Sequence, residues 1–230
     1  MIKHNLLDIE GTTAPISFVH QVLFPYAKEK LKSFLANHSI PKSQWLEITQ
    51  EFALDQKKFP KELPTAIDTT NLHLYLEFLI SKDRKFGPLK DIQGKIWKVG
   101  YESNELKSTL FPDVKGFLES STKKGISNHV YSSGSVEAQI LIYKYSNEGD
   151  LTSFFTSYFD TAVGGKREKE SYLNISNQLN SAPDEILFFT DIVEEAEAAS
   201  GAGMSVQILD RPGNIPQKEH NFPVIQTFKI

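Results

Sequence analysis

The stretch Leu6-Leu7-Asp8-Ile9-Glu10-Gly11-Thr12-Thr13 sets two leucines before a carboxylate, a second carboxylate two positions on, and a Gly-Thr-Thr turn. Leu6 and Leu7 read as the end of a short buried strand. Asp8 then leaves that strand at its carboxyl end, where open α/β sheets keep their ligand crevices. Gly11 permits a tight turn, and the Thr12 and Thr13 amides are expected to face an anionic group. A surface turn that merely carries acids would account for the same residues. What decides between the two is whether other segments bring partners to the same edge.

Working outward, the second half of the chain alternates strands with helices. Ser127 to Ser132 reads as a strand running into Ser-Ser-Gly-Ser, then a helix from Val136 to Tyr145. Phe154 to Phe159 reads as a strand, followed by a Gly164-Gly165-Lys166 loop and a helix to about Leu179. Glu185 to Phe189 is the clearest buried strand; it ends in Thr190-Asp191 and enters a Glu- and Ala-rich helix closed by Gly201 and Gly203. Met204 to Leu209 reads as a last strand. This alternation predicts a doubly wound parallel sheet.

Between the first strand and the rest, residues 14 to 107 show helical periods and no convincing strand. Ser17 can cap a segment from Phe18 to Leu23, and Pro25 suits the first turn of the next helix. Further helices are expected after Pro41, after Asp68, Thr69 or Thr70 as a cap, and after Pro88. The expected organisation is an α/β core of residues 1–13 and 108–230 with a helical cap of residues 14–107 inserted into it.

Composition narrows the functions. The chain has 230 residues, 40% of them hydrophobic, a formal net charge of −4 and no cysteine. Disulfides, thiolate catalysis and Cys-zinc sites are excluded. The mild acidity gives no reason to expect nucleic-acid binding. No apolar run reaches the roughly 18 residues of a membrane span, and Asp8 cuts short the only apolar stretch near the start. A cytoplasmic monomer acting on a small molecule is the expectation. There is no Walker-type phosphate loop and no Gly-x-Ser-x-Gly elbow, and the six histidines show no metal spacing.

Four features fall at or just past strand ends: Asp8 with Glu10, Ser132 with Ser133, Lys166, and Asp191 with Glu194 and Glu195. In a parallel sheet these ends share one edge. A carboxylate can attack phosphorus, and a neighbouring acid can protonate the leaving oxygen and then activate water. Hydroxyls and amides at a helix N-terminus bind phosphate, and a lysine neutralises it as a point charge. Hard carboxylate oxygens with few other ligands suit Mg²⁺. Each feature also has a plainer account: a Ser-Gly-Ser turn, a solvated lysine in the run Lys166 to Lys169, and an Asp191 that caps the following helix.

With these residues in hand, the chain resembles the haloacid dehalogenase superfamily of phosphohydrolases, and within it the enolase-phosphatases of methionine salvage. The resemblance spans nearly the whole chain. It rests on Asp8 to Thr13, with Glu10 where general members carry Asp; on Tyr131 to Gln139; on Lys166 with Glu168 to Tyr172; and on Thr190-Asp191. Phe24-Pro25-Tyr26, Gly100-Tyr101 and Phe111 to Val114 look like further landmarks.

The resemblance implies a bifunctional enzyme that enolises 2,3-diketo-5-methylthiopentyl 1-phosphate and then dephosphorylates the enol to the acireductone. It implies Mg²⁺ held by Asp8, Glu10 (through its backbone carbonyl) and Asp191. It implies Asp8 as nucleophile or phosphate-orienting carboxylate, Glu10 as proton carrier, and Ser132, Ser133 and Lys166 on the phosphate. A role for Glu195 at the metal is left open. Ala14 and Asn104 depart from the family pattern, which has Thr and Gly there; Asn tolerates a left-handed backbone. Two rivals stand beside this reading: a plain Mg²⁺-dependent phosphatase of the same superfamily, and a non-catalytic binding protein on the same fold.

Overall fold

The computed structural model describes residues 1–228. The chain divides into two compact units, Met1–Val19 with Asn104 onward, and His20–Ser103. The divisions fall at 19/20 and 103/104, a few residues inside the expected 13/14 and 107/108.

The first unit opens with β1 (His4–Leu7), the Asp8–Thr13 turn and a single helical turn α1 (Ile16–Phe18). Residues Val19–Leu23 then form a π-turn rather than the α-helical segment expected there. Pro25 has no N–H to give to the carbonyl four residues back, which favours a local change of hydrogen-bond period. Ser17 is not a cap; Pro15 stands at that position.

The second unit is wholly helical among its regular elements: α2 (Phe24–Asn37), α3 (Lys42–Lys58), α4 (Leu72–Ser81) and α5 (Gly87–Glu102). Its core gathers Leu31, Ile48, Phe52, Tyr75, Leu76, Leu79, Ile92 and Ile96. One buried charge is built in. Asp55 accepts from Tyr75 Oη at 2.9 Å and from Arg84 at 3.0 Å, so its oxygens are paired rather than orphaned. The Phe24-Pro25-Tyr26 and Gly100 landmarks meet here. Phe24 stacks on Trp97, Trp97 Nε1 donates to the Leu23 carbonyl at 2.8 Å, and a Cβ on Gly100 would strike the Tyr26 ring. Asp68 precedes α4 as a turn residue, accepting from Thr70 and Asn71, while Asn71 occupies the cap position.

The first unit resumes with α6 (Val114–Lys123), β2 (Ser127–Tyr131), α7 (Val136–Lys144), β3 (Phe155–Phe159), α8 (Lys169–Gln178), β4 (Ile186–Thr190), α9 (Val193–Gly201), β5 (Ser205–Leu209) and β6 (Val224–Ile225). Asn104 has φ +61, the left-handed backbone anticipated for it. The sheet is parallel throughout, in the order β3-β2-β1-β4-β5-β6, with β1 in the middle. Strand β6 was not expected: two residues after Pro223 carry no periodicity, and pairing with Ile208 and Leu209 alone makes them a strand. Leu6, Tyr131, Tyr172, Ile175, Phe188, Ala196 and Val206 form one continuous apolar layer. Among the described residues no helix is long and apolar enough to cross a membrane.

Neighbouring strands β1 and β2 also bury polar groups. Asn5 donates to Asn128 at 2.9 Å and to Ser121 at 3.0 Å. His4 and His129 meet ring to ring, Nδ1 to Nε2, at 3.0 Å. Burial, with the His4 ring as a lesser cause, pushes His129 down to about 4. An unfolded histidine titrates near 6.5, so between those values the unfolded chain binds a proton that the native chain refuses. The stabilisation is therefore complete above about pH 6.5 and declines as pH falls toward 4, by about 3 kcal/mol at roughly 1.4 kcal/mol per unit. Urea unfolding at pH 7.0, 5.5 and 4.5 should show this slope, and His129→Leu should flatten it; equal slopes in the two proteins would contradict the assignment.

Candidate active site

The register of the sheet brings the predicted site residues to one edge. Leu7 lies opposite Val130 on one side and Phe189 on the other, so Asp8 stands level with the ends of β2 and β4. The Asp8 amide donates to the Phe189 carbonyl at 3.0 Å, and Ser132 continues the ladder by donating to the Phe159 carbonyl. Asp8 and Asp191 are both buried, at 4% and 3% exposure, directly past the two central strands.

Lys166 joins these strand ends. Its Nζ lies 2.6 Å from Asp8 Oδ1 and 2.8 Å from Glu195 Oε2. Arg167, Glu168 and Lys169 are exposed, so Lys166 is the one member of its charge run turned inward. Two hydrogen bonds shape its approach: Tyr131 Oη donates to the Gly164 carbonyl at 2.9 Å, and Tyr172 Oη to the carbonyl of Lys166 itself at 2.6 Å. Glu195 is fixed in turn by the Thr190 hydroxyl at 2.8 Å. Asp191 is not a helix cap; Ile192 holds that position before α9.

The turn after Asp8 corrects one expectation. The Thr12, Thr13 and Ala14 amides all donate to the Ile9 carbonyl, at 3.2, 2.9 and 2.8 Å, so they close the turn instead of facing a ligand. The Ile9 amide donates to Asp8 Oδ1 at 2.8 Å. Gly11 has φ +70, and a Cβ there would overlap Asp191 Oδ2. Ser135 serves as the N-cap of α7, accepting from Ala138 at 3.3 Å, and Ser132 Oγ accepts from Gly134 at 3.4 Å, which leaves its hydroxyl hydrogen to donate elsewhere. Gln139 Nε2 ties the Ser-rich turn to β3 through the Gly134 and Phe159 carbonyls, both at 2.8 Å.

A parallel sheet carrying this Asp-x-Glu-Gly-Thr turn, serine turn, inward lysine and second aspartate matches the description of a haloacid dehalogenase-like hydrolase over residues 2–203. The chain belongs to that family. Its membership narrows further. An enolase-phosphatase E1 of Leptospira biflexa is 57% identical, with 99% of each chain covered. One of Drosophila ananassae is 44% identical over 97% of this chain and 92% of its own. Among solved structures, the Unknown transcript 4 protein of Saccharomyces cerevisiae superposes with a TM-score of 0.79 at 31% identity, covering 100% of this chain and 99% of its own. CbbY of Rhodobacter sphaeroides, solved with phosphate, shares the fold at a TM-score of 0.63 and 14% identity, covering 99% of this chain and 95% of its own.

The electrostatics of this haloacid dehalogenase-like site are lopsided. Asp8, Asp191 and Glu195 are all buried, and the Lys166 ammonium pairs directly with Asp8 and Glu195. Burial, reinforced by Glu195 and Asp191 and opposed by Lys166, holds Asp8 well above the usual carboxylate range. Burial likewise pushes Asp191 up to about 7, with Lys166 opposing and Glu195 and Glu10 adding to the rise. Burial works against the charge on Lys166, but Asp8 and Glu195 outweigh it and hold the ammonium above the usual lysine range. Among the described residues no three His, Asp or Glu side chains form a ready-made metal cluster. Glu10 is half-buried on the turn, and Ser133 is half-buried beside Ser132.

Two partners of this site were not among the expected residues. Asn214 donates to the Gly11 carbonyl at 2.9 Å, and Arg211 reaches the Thr12 carbonyl through Nε and an NH₂ nitrogen. The signal available was position: Arg-Pro-Gly-Asn follows β5 at the same carboxyl edge. Gly11→Ala and Gly125→Ala separate two costs. Gly125, at φ +73 with open space around it, should lose only the left-handed strain of about 1–2 kcal/mol. Gly11→Ala must also displace the Asp191 carboxylate and should lower the thermal midpoint clearly further; equal midpoints would refute the close approach.

Proposed function

We propose that the chain is a Mg²⁺-dependent enolase-phosphatase of methionine salvage, converting 2,3-diketo-5-methylthiopentyl 1-phosphate through its enol phosphate to the acireductone and phosphate. The observation that carries it is the Asp8–Lys166–Glu195 cluster at the carboxyl edge of the sheet, in a chain 57% identical to an enolase-phosphatase over 99% of its length. Residues 14–107 act as the cap of this reading, and the protein works as a cytoplasmic monomer.

The residues present fit a hard divalent cation. The buried acids outnumber the single lysine, and Gly11, lacking a side chain, lets the Asp191 carboxylate lie directly against the turn that carries Glu10. Mg²⁺ keeps several waters and needs only one or two carboxylates, so Asp8, Asp191 and the Glu10 carbonyl suffice without a third side chain. The bound cation supplies neutralisation of the phosphate charge against these acids.

The chain's own groups account for the rest. Lys166 and the Ile9 amide both address Asp8 Oδ1, which leaves Oδ2 to attack phosphorus. The new Asp8–phosphorus bond forms as the ester oxygen leaves, and Glu10 gives that oxygen its proton. Glu10 then takes a proton from water as the water attacks the aspartyl-phosphate, freeing phosphate and restoring Asp8. Ser132, Ser133 and Lys166 orient the phosphoryl oxygens. Glu10, one methylene longer than the Asp of general members, also carries the proton in the preceding enolisation.

Supplied with the diketo phosphate, the enzyme should produce enol absorbance and then phosphate. Turnover of simple phosphate esters without any of the diketo compound would leave only a plain phosphatase. Asp8→Asn should abolish phosphate release while the far-ultraviolet circular dichroism stays unchanged; undiminished turnover would remove Asp8 from its role. Asp191→Asn should shift the Mg²⁺ titration to much higher concentration, and an identical titration would count against its place at the metal.

A further inference from the structure

Beyond the strand-end acids, the described residues include one buried cation that the reaction does not use. Arg211 is 4% exposed and lies two residues past β5. Its Nε and one terminal nitrogen donate to a single carbonyl, that of Thr12, at 3.2 and 3.1 Å. The other terminal nitrogen donates to Asp113 Oδ2 at 2.8 Å and to the Gln226 carbonyl at 3.0 Å. The guanidinium carbon lies over the rings of Phe111 and Phe228, 4.5 and 4.9 Å from their centroids. Asp113 Oδ2 also accepts from the Phe228 amide.

Three residues on, Asn214 repeats the pattern on the adjoining peptide. Its Nδ2 donates to the Gly11 carbonyl at 2.9 Å and to the Leu209 carbonyl at 3.0 Å. Gly213, at φ +91, makes the tight bend that presents both side chains from one short loop. Two consecutive carbonyls of the turn between Asp8 and Thr13 are thus gripped from outside by Arg211 and Asn214. Asp191 stands against Gly11 as well, so the turn is confined from two directions.

We propose that Arg211 and Asn214 are positioning residues for the reaction, holding the Gly11 and Thr12 carbonyls so that the turn carrying Asp8 and Glu10 keeps its working geometry. A role confined to anchoring the C-terminal segment would explain the bond to Gln226. It would not explain why three of the six hydrogen bonds made by the two side chains go to this turn. Arginine is needed for its fork: a lysine could keep the charge opposite Asp113 but could not place two donors on one carbonyl. Displacements of about 1 Å in a reacting group can cost about a hundredfold in rate, so loosening the turn should appear in kcat.

The claim rests on the phosphatase reading, and the test separates the two. Arg211→Lys and Asn214→Ala would each be compared with Ile175→Val, a cavity variant in the apolar layer with no bond to the turn, under conditions equally far below each thermal midpoint. Phosphate release from the diketo phosphate and from an aryl phosphate would give kcat and KM. Amide hydrogen exchange over residues 9–14 would report the turn without reference to activity. The expected result is a 10- to 100-fold fall in kcat with KM within threefold, together with at least tenfold faster exchange of the turn amides, in both variants and not in Ile175→Val. Turn exchange unchanged from the parent, or kcat within twofold of it, would overturn the proposal. Matching losses in Ile175→Val would also overturn it. Should Arg211→Lys fail to fold, Asn214→Ala decides alone. If the parent releases no phosphate from either ester, the functional reading fails, and unchanged turn exchange still overturns the positioning claim.

Discussion

The ammonium of Lys166, held within 2.8 Å of two buried carboxylates, is the interaction on which the site depends. Asp8 follows β1, Lys166 follows β3 and Glu195 lies in α9, so one side chain ties three crossovers of the sheet together. Charges this far from water are tolerable only when paired and hydrogen-bonded. The pairing here is incomplete by design of the donor set: the acids exceed the base. That excess is a poor choice for stability and is the kind of donor set that suits a hard cation.

The surrounding hydrogen bonds serve this geometry. Tyr131 and Tyr172 use their hydroxyls on the carbonyls of Gly164 and Lys166, which turns the lysine inward while its neighbours stay in water. Thr190 holds Glu195, and Thr13 Oγ1 bonds to the Asp8 carbonyl at 3.1 Å and to the Tyr143 hydroxyl at 2.8 Å. Few of these partners can leave without exposing a buried donor or acceptor, which costs about 1–3 kcal/mol each. Rigidity at the strand ends is therefore a consequence of polar satisfaction, and preorganised groups are what electrostatic catalysis requires.

Several elements were readable because local chemistry and tertiary need agreed. Pro25 and Pro88 stand in first turns, and Asn104 adopts the backbone its side chain tolerates. Where the two disagreed, reading failed. The π-turn at Val19–Leu23 has no propensity signature. The Thr12 and Thr13 amides look available in sequence because nothing there shows that the Ile9 carbonyl will take both, together with the amide of Ala14. A two-residue strand such as β6 exists only through its neighbour.

Taken by itself, the order of residues determined the alternation of strands and helices, the strand-end placement of Asp8, Ser132 and Asp191, and the family. The alternation and the strand-end placement follow from periodicity and from a rule of parallel sheets, both of which are local or topological; the family came from the resemblance of its motifs. Whether Lys166 was solvated or buried, whether Glu195 joined it, and which side chains hold the Gly11–Thr12 turn were decided only by the tertiary structure. The reason is distance along the chain. Arg211 meets Thr12 across 199 residues and Asn214 meets Gly11 across 203, and a hydrogen bond at that separation leaves no periodic trace in the sequence.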